Sequence, residues 1–390
     1  MDRTGSQPPA QRRAAPNNTE HAVSDDGGRD AQRSAGKAAD RQRGFDSPQT
    51  AYAALDLGTN NCRLLVARPT RRGFHVIDAF SRIIRLGEGV AATGELSDDA
   101  MLRTIDALKV CASKMARHNV ARSRLVATEA CRIATNGKGF VDRVRTDLGM
   151  KLEILSRERE AQLAVSGCAP LIDESSDHAL VFDIGGGSSE LVWLDLSRRR
   201  NNWRRSLSDR LEATDCIAAW TSLPAGVVTL AEQFGGRHVD HESFEAMVSA
   251  VQELLHPFED HYRFRERISA GRVHFLGTSG TVTTVAGIQL KLARYDRNRV
   301  DGCWLAAQEV RRVTLDLLNQ SYEERVAQPC IGKDRADLVL AGCAILEALM
   351  RLWPTERLRV ADRGLREGIL TLLMAEDAQQ RGGRRRSGRR

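Results

Sequence analysis

Residues 179–196 read ALVFDIGGGSSELVWLDL: an apolar run, Asp183, an apolar residue, a glycine-rich turn and a second apolar run. Two short apolar runs separated by small polar residues predict two antiparallel strands joined by a tight turn. Consecutive glycines lose much conformational freedom on folding. The run Gly185, Gly186, Gly187 therefore indicates a turn that needs close backbone approach.

The same pattern occurs 127 positions earlier in the chain. Residues 51–67 read AYAALDLGTNNCRLLVA, and their alignment with 179–196 places Asp56 over Asp183. Each copy is followed by alternating strand and helix patterns, which is typical of an α/β protein. A core of about 330 residues is more than one hydrophobic core usually organises, so the repeat predicts two related domains.

A third glycine-rich turn lies in HFLGTSGTVTTVAG, residues 274–287. It follows an apolar run that predicts a strand, and the pattern after it predicts a helix. The N-terminus of a helix carries partial positive charge and unsatisfied N–H groups, so it can bind an anion.

The remaining composition divides the chain into four parts. Residues 1–49 are poor in large apolar side chains and are predicted to be disordered, as is the arginine-rich tail 378–390. Between them we predict a first domain over 50–163 and a second domain, with C-terminal helices, over 164–377.

The net charge of +7 comes from the ends of the chain. Residues 381–390 contain six arginines and no acid, whereas residues 49–380 contain 44 side chains of each sign. This excludes a basic domain that tracks a nucleic-acid backbone, so no specific nucleic-acid partner is expected.

No apolar run approaches the roughly 18 residues of a membrane span, and we expect a cytoplasmic protein with no membrane partner. Its eight cysteines contain no C-x-x-C pair and are expected to be reduced and mostly buried.

The three turns suggest phosphate chemistry. Turns of glycine and small hydroxyl residues expose successive backbone N–H groups that can bind phosphate oxygens. An aspartate at the end of a strand can hold Mg²⁺ through its waters while the metal contacts phosphate, which indicates Asp56 and Asp183. The turns match neither the P-loop pattern nor a dinucleotide-binding fingerprint. The predicted phosphate-binding residues are Gly58, Thr59, Asn60, Gly185, Gly186, Gly187, Ser188, Gly277, Thr278, Ser279, Gly280 and Thr281.

These turns resemble the two phosphate motifs and the third nucleotide motif of the actin, heat-shock chaperone and sugar-kinase superfamily. More narrowly, the chain resembles the exopolyphosphatase and guanosine pentaphosphate phosphohydrolase family in its short two-domain form. The resemblance implies two actin-like (ribonuclease H-like) domains with a cleft between them. It rests also on RLGEGV at 85–90, ATEACRIATN at 127–136, ILSREREAQLAVSG at 154–167, SLPAGVVTLAEQF at 222–234, RADLVLAG at 335–342 and VADRGLREGIL at 360–370.

The resemblance also implies roles for single residues. Glu160 corresponds to the family's proposed catalytic base, and Glu158 is a second candidate. Arg132 corresponds to an arginine at the cleft that can bind phosphate in a bidentate manner. Arg85 is a similar but weaker candidate. Glu190 would join the two aspartates in the acidic cluster at the metal.

The chain departs from the family pattern at two places. Asn61 stands where relatives carry the last serine of the first turn, which leaves the backbone role of the turn but not that hydroxyl. Asp301 stands where relatives often have histidine, so no functional histidine is expected there.

The expected activity is therefore Mg²⁺-dependent release of terminal phosphate from inorganic polyphosphate, of the 5′-γ-phosphate from guanosine pentaphosphate, or both, by a protein that is expected to form a homodimer. Two alternatives stay open at this point. The protein could bind polyphosphate or the nucleotide without cleaving it, as a sensor, or it could transfer phosphate from ATP to an acceptor on the same fold.

Overall fold

A computed structural model describes residues 50–387 of the chain, with side chains described as far as Arg381. The tail predicted over residues 1–49 lies outside this part. Two mixed β-sheets, each flanked by helices, account for the described residues.

The first sheet has the strand order β3-β2-β1-β4-β5. Strands β1, β2 and β3 are antiparallel neighbours, whereas β4 and β5 run parallel to β1. The strands are β1 (Ala51–Leu57), β2 (Asn61–Thr70), β3 (Gly73–Ile83), β4 (Val120–Ala127) and β5 (Leu152–Ile154). The helices are α1 (Val90–Thr93), α2 (Asp98–Arg117), α3 (Glu129–Ile133), α4 (Gly137–Leu148) and α5 (Arg157–Cys168).

The second sheet has the order β10-β11-β9-β6-β7-β8. Its strands are β6 (His178–Ile184), β7 (Ser189–Asp195), β8 (Ile217–Leu223), β9 (Val273–Thr278), β10 (Trp304–Ala306) and β11 (Arg357–Ala361). The helices are α6 (Leu207–Leu211), α7 (Val227–Phe234), α8 (His241–Tyr262), α9 (Phe264–Ser269), α10 (Ser279–Gln289), α11 (Arg297–Val300), α12 (Ala307–Leu318), α13 (Tyr322–Ala327), α14 (Val339–Leu352) and α15 (Leu365–Ser387). Three short 3₁₀ turns occur at Ala169–Leu171, Leu196–Arg198 and Glu212–Cys216.

The two sheets repeat one topology. The order β8-β7-β6-β9-β11 in the second sheet corresponds to β3-β2-β1-β4-β5 in the first. The register agrees as well, because Asp56 pairs with Arg63 across the first hairpin and Asp183 pairs with Glu190 across the second. The predicted internal repeat and the predicted α/β class with two related sheets are confirmed.

Each sheet is covered on both faces. Helices α2 and α4 pack on one face of the first sheet, against Leu55 and Leu57 among others. Helix α15 covers the other face, where Leu370 and Met374 pack against Tyr52. All eight cysteines are free and seven are buried, as predicted.

Helices α5 and α15 cross in direct backbone contact. A Cβ atom added at Gly167 would lie 2.0 Å from the carbonyl oxygen of Gly364, and one at Gly368 would lie 1.9 Å from that of Leu163. Only glycine allows this approach. The domain boundary predicted after residue 163 falls inside α5, and α15 packs on the first sheet although it follows the second in sequence. The boundaries themselves stay a prediction.

The last helix extends further than the sequence indicated. Its backbone continues to Ser387, ten residues into the tail that was predicted to be disordered from 378. Asp377 anchors this region because it accepts hydrogen bonds from the Tyr52 hydroxyl, at 2.7 Å, and from the Arg122 guanidinium. Within residues 50–387, no helix is long and apolar enough to cross a lipid bilayer.

Candidate active site

The three predicted turns meet at one cavity. We name them turn 1 (residues 58–61), turn 2 (185–188) and turn 3 (277–281). All of turn 1 and turn 2 lines the cavity, together with Ser279, Gly280 and Thr281 of turn 3. Gly277 and Thr278 do not line it. Gly277 packs on the Phe182 ring, and the Thr278 hydroxyl donates to the Arg363 carbonyl at 2.8 Å.

Turns 1 and 2 are in van der Waals contact. A Cβ atom added at Gly186 would lie 3.0 Å from Thr59 Cβ, and one at Gly187 would lie 2.8 Å from Thr59 Oγ1. The glycines are therefore needed because the two turns approach each other too closely for side chains.

Helix α7 supports turn 2 from behind. The N–H groups of Val227 and Val228 donate to the carbonyls of Gly185 and Gly186, at 3.0 and 2.8 Å. Within the described part of the chain, the N–H groups of Gly186 and Gly187 donate to no protein acceptor. These amides at the wall of the cavity form the type of concavity that binds phosphate oxygens.

Five carboxylates line the cavity: Glu129 and Glu190 are buried, and Asp56, Glu160 and Asp183 are half-buried. Burial, followed by repulsion from Glu190, raises the pKa of Asp183 to about 7. The same two causes raise the pKa of Glu160 well above its ordinary value. Burial also raises the pKa of Asp56 and of Glu190. The cluster therefore holds excess negative charge that a cation would stabilise.

The donor set fits Mg²⁺ bound through few protein ligands. Among residues 50–381, no three His, Cys, Asp or Glu side chains lie close enough to enclose a metal ion. Mg²⁺ usually keeps several waters and binds one or two carboxylates plus substrate phosphates. Asp56 and Asp183 suit that role. Glu190 Oε1 accepts hydrogen bonds from the hydroxyls of Ser188 and Ser222, at 2.7 and 2.9 Å.

Glu160 lies in the first turn of α5, with Ser156 as the N-cap residue. Both Nη atoms of Arg132 donate to Glu160 Oε2 at 3.2 Å. Of the two glutamates predicted as base candidates, Glu160 lines the cavity, whereas Glu158 is exposed and does not line it. The geometry thus favours Glu160 as the carboxylate that can face a substrate.

The guanidinium of Arg132 is bound by protein groups. In addition to Glu160 it donates through Nε to Glu129 Oε2 at 2.9 Å, and through Nη1 to the Leu155 carbonyl. It does not line the cavity. Its role as a phosphate ligand stays a prediction, and in this arrangement it orients Glu160.

Arg85 lies beside the cavity and joins the two halves of the molecule. Its Nη1 and Nη2 atoms contact the two carboxylate oxygens of Asp337 at 2.8 and 3.0 Å. Close by, the N–H of Gly89 donates to Glu232 Oε1 at 2.8 Å. Both contacts connect the segment after β3 to the second half of the chain, one at Asp337 just before α14 and one at Glu232 in α7.

Comparison with known proteins adds to this geometry. The model of the Ppx/GppA phosphatase family matches residues 65–376. The chain belongs to this family.

Three relatives illustrate the similarity. A guanosine-5'-triphosphate,3'-diphosphate pyrophosphatase of Photobacterium profundum is 28% identical over an alignment of 337 residues, and the match covers 83% of this chain. This chain spans only 59% of that relative's length. A crystal structure of the Aquifex aeolicus Ppx/GppA family member shares 26% identity and a TM-score of 0.65, covering 84% of this chain and 98% of that one. An exopolyphosphatase structure from Cytophaga hutchinsonii shares the fold, with a TM-score of 0.72 and 23% identity over 84% of this chain and 98% of that one.

Several cavity residues of this Ppx/GppA family member were missed by the sequence analysis. Arg63 and Arg335 line the cavity, and so does Glu129, which is 4% exposed. Arg157 Nη2 donates to Glu129 Oε1 at 2.5 Å, and ion pairs with Arg157 and Arg132 lower the Glu129 pKa despite its burial. The repeat offered one signal, since it places Arg63 at the position equivalent to Glu190.

The structure shows the surroundings of Asn61 and Asp301, the two residues that depart from the family pattern. Asn61 lines the cavity, and its Oδ1 atom is buried and has no hydrogen-bond partner among residues 50–381. Asp301 forms an ion pair with Arg363, whose Nε lies 3.1 Å from Oδ2. Asp301 therefore has a structural contact where relatives often carry histidine.

Proposed function

We propose that this Ppx/GppA family member is a phosphoanhydride hydrolase that releases terminal phosphate from inorganic polyphosphate, the 5′-γ-phosphate from guanosine pentaphosphate, or both. The observation that carries the proposal is the position of Glu160. It lines the same cavity as the amides of turn 2 and is fixed by Arg132.

In the proposed reaction, turns 1 and 2 bind the terminal phosphates through backbone amides. Glu160 then accepts a proton from a water molecule that attacks the terminal phosphorus in line with the leaving oxygen. Its raised pKa makes the ionised carboxylate a stronger base than an exposed glutamate. Arg132 holds Oε2 in place, so the carboxylate does not have to be ordered at the moment of reaction.

Mg²⁺ held by Asp56 and Asp183 would offset the charge of the phosphate oxygens. The residues on this chain supply the rest of the site: Thr59 and Ser188 place hydroxyls beside the amides, and Arg63 adds a positive charge in the same cavity. The carboxylates that line the cavity would repel a polyanion, and a bound cation would offset that repulsion.

The names of the relatives support both substrates. The Photobacterium profundum relative is named for the guanosine nucleotide and the Cytophaga hutchinsonii structure for polyphosphate. Homodimer formation and a cytoplasmic location remain predictions.

The test is phosphate release from long-chain polyphosphate, tripolyphosphate and guanosine pentaphosphate, side by side with Mg²⁺. Glu160→Gln should lower the rate by about 10² to 10⁴, because it removes the base. Glu158→Gln is the matched control, since this side chain is exposed two residues away, and it should keep the rate. A full rate in Glu160→Gln would refute the proposed base.

The same assay separates the alternatives. Binding of these ligands without release of phosphate would show a sensor. Phosphate transfer that consumes ATP only when an acceptor is present would show a phosphotransferase.

A further inference from the structure

We propose that linear polyphosphate binds to a second surface, at the end of the molecule opposite the cavity. Two arginine-rich segments form this surface, which we name the basic face. The segments are the β2–β3 hairpin tip, residues 68–72, and the loop 198–205. The proposal rests on the proposed function, because it names the part of a long substrate that lies outside the active site.

Both segments are arginine-rich and free of acids. The hairpin tip reads RPTRR and the loop reads RRRNNWRR, with no aspartate or glutamate in either. Six of these arginines are exposed: Arg68, Arg71, Arg72, Arg200, Arg204 and Arg205. Within the part of the chain whose side chains are described, none of the six forms an ion pair with a carboxylate. This differs from Arg198 and Arg199 of the same loop, which pair with Asp195 and Glu174.

Arg210 bridges the two segments, which about 130 residues separate in the chain. Arg210, in α6 just after the loop, donates through Nη2 to the Arg72 carbonyl at 3.0 Å and through Nε to the Trp203 carbonyl. Its guanidinium also covers Gly73, where an added Cβ would lie 3.0 Å from Nη2.

Apolar side chains pack beneath the Arg210 contact and fix the two segments relative to each other. Leu207 of α6 and Phe74 of β3 pack into the same cluster as Tyr52 and Leu373 of α15. The two acids that follow on the loop side, Asp209 and Glu212, leave residues 198–212 with a net positive charge. The charges of hairpin and loop therefore add on one surface.

The basic face is far from the cavity. Strand β2 begins beside turn 1 and ends at the hairpin tip, and its ten residues span about 30 Å at ~3.3 Å per residue. A tripolyphosphate bound at turns 1 and 2 cannot reach it, whereas a long chain can contact both.

Its chemistry suits a chain of phosphates better than nucleic acid. Surfaces that bind single-stranded nucleic acid combine basic residues with exposed aromatic side chains on which bases stack. In these segments the aromatic side chain, Trp203, is 1% exposed, and the neighbouring Phe74 packs inward. The surface presents guanidinium groups, which bind phosphate oxygens, and phosphate groups are all that a polyphosphate chain offers for recognition.

The test compares two double variants of the full-length protein with a control of equal charge. Arg71→Ser/Arg72→Ser alters the hairpin, and Arg200→Ser/Arg205→Ser alters the loop. The control, Arg143→Ser/Arg145→Ser, removes two exposed arginines from α4, which packs on the face of the first sheet opposite α15. The probe is labelled long-chain polyphosphate at low salt without added Mg²⁺, which keeps the chain intact. Phosphate release from tripolyphosphate with Mg²⁺ is measured in parallel.

Each of the first two variants should bind long-chain polyphosphate about fivefold more weakly than the wild type, and the control should bind as the wild type does. Salt should weaken wild-type binding more steeply than binding by either variant. Hydrolysis of tripolyphosphate should be unchanged in all three.

Unchanged long-chain binding in either the hairpin or the loop variant would overturn the proposal, because one continuous surface must respond to both. If single-stranded RNA of equal charge displaced polyphosphate at lower concentration and lost more affinity in the variants, the surface would belong to nucleic acid, and the proposal would be wrong. Failure of the wild type to release phosphate from tripolyphosphate, long-chain polyphosphate and guanosine pentaphosphate would refute the proposed function alone, since the binding comparison does not depend on hydrolysis.

Discussion

Replacing Gly226 by alanine should disable the site, although Gly226 itself does not line the cavity. Gly226 precedes α7, the helix that supports turn 2. A Cβ atom added there would lie 2.3 Å from the carbonyl oxygen of Gly186 and 2.6 Å from the amide nitrogen of Gly187. Ordinary contact begins near 3.4 Å, so turn 2 or α7 must move by about 1 Å. Both partners are backbone, so no flexible side chain can yield.

A displacement of about 1 Å in a group that positions substrate lowers catalytic rates by about 10². We therefore expect kcat/KM for tripolyphosphate to fall about a hundredfold in Gly226→Ala, with a loss of about 1–3 kcal/mol in the free energy of unfolding from overpacking. The measurements are phosphate release with Mg²⁺ and denaturant unfolding.

Gly139→Ala is the matched control. Gly139 lies within α4 and has open space around an added Cβ, so alanine should keep the rate and raise the free energy of unfolding by about 0.5–1 kcal/mol. A Gly226→Ala protein that folds and retains the wild-type rate would show that the position of turn 2 does not limit the reaction.

Further tests address stability and the ends of the molecule. Burial lowers the pKa of His274 from 6.5 to about 4, so the unfolded chain binds this proton first as the pH falls. The wild type should therefore lose about 3 kcal/mol in the free energy of unfolding between pH 6.5 and 4 because of this group, and His274→Gln should not show that loss. Urea unfolding as a function of pH measures the difference. His256→Gln, at an exposed position, is the control and should keep the pH dependence of the wild type. A double-mutant cycle of Arg85→Ala and Asp337→Ala should give a coupling of about 1 kcal/mol that declines with salt, and zero coupling would mean that this partly exposed pair does not hold the two halves together. Removing residues 381–390, with their six arginines, should weaken binding of long-chain polyphosphate at low salt and leave tripolyphosphate hydrolysis unchanged, whereas equal affinity for the long chain would show that the tail takes no part.

The sequence was informative wherever local chemistry determines structure. Turns 1 and 2 were predictable because an aspartate, a glycine-rich turn and two apolar runs recur together, and such a pattern has few structural solutions. Their meeting at one cavity followed from the repeat. Turn 3 was predicted less well, because a sequence pattern does not show that Gly277 packs on Phe182 and faces away from the cavity.

Contacts between distant residues were beyond sequence reasoning. Arg132 was predicted to bind phosphate, but a guanidinium binds a carboxylate equally well, and its distance to Glu160 depends on how α3 and α5 pack. No sequence pattern distinguishes Glu129 from other charged residues, and its ion pairs with Arg132 and Arg157 appear only in the structure. The contact between Tyr52 and Asp377 of α15 likewise joins residues more than 300 positions apart in the chain.

The backbone contact between α5 and α15 makes the location of Glu160 sensitive to the angle at which these helices cross. Glu160 is seven residues from Gly167, about 10 Å along the helix at 1.5 Å per residue. With a lever of that length, a rotation of about five degrees at the crossing would shift the carboxylate by close to 1 Å. The angle at which the two helices cross therefore sets the distance between the Glu160 carboxylate and turn 2. Because the backbones of the two helices are in direct contact at this point, no side chains lie between them that could repack to accommodate such a rotation.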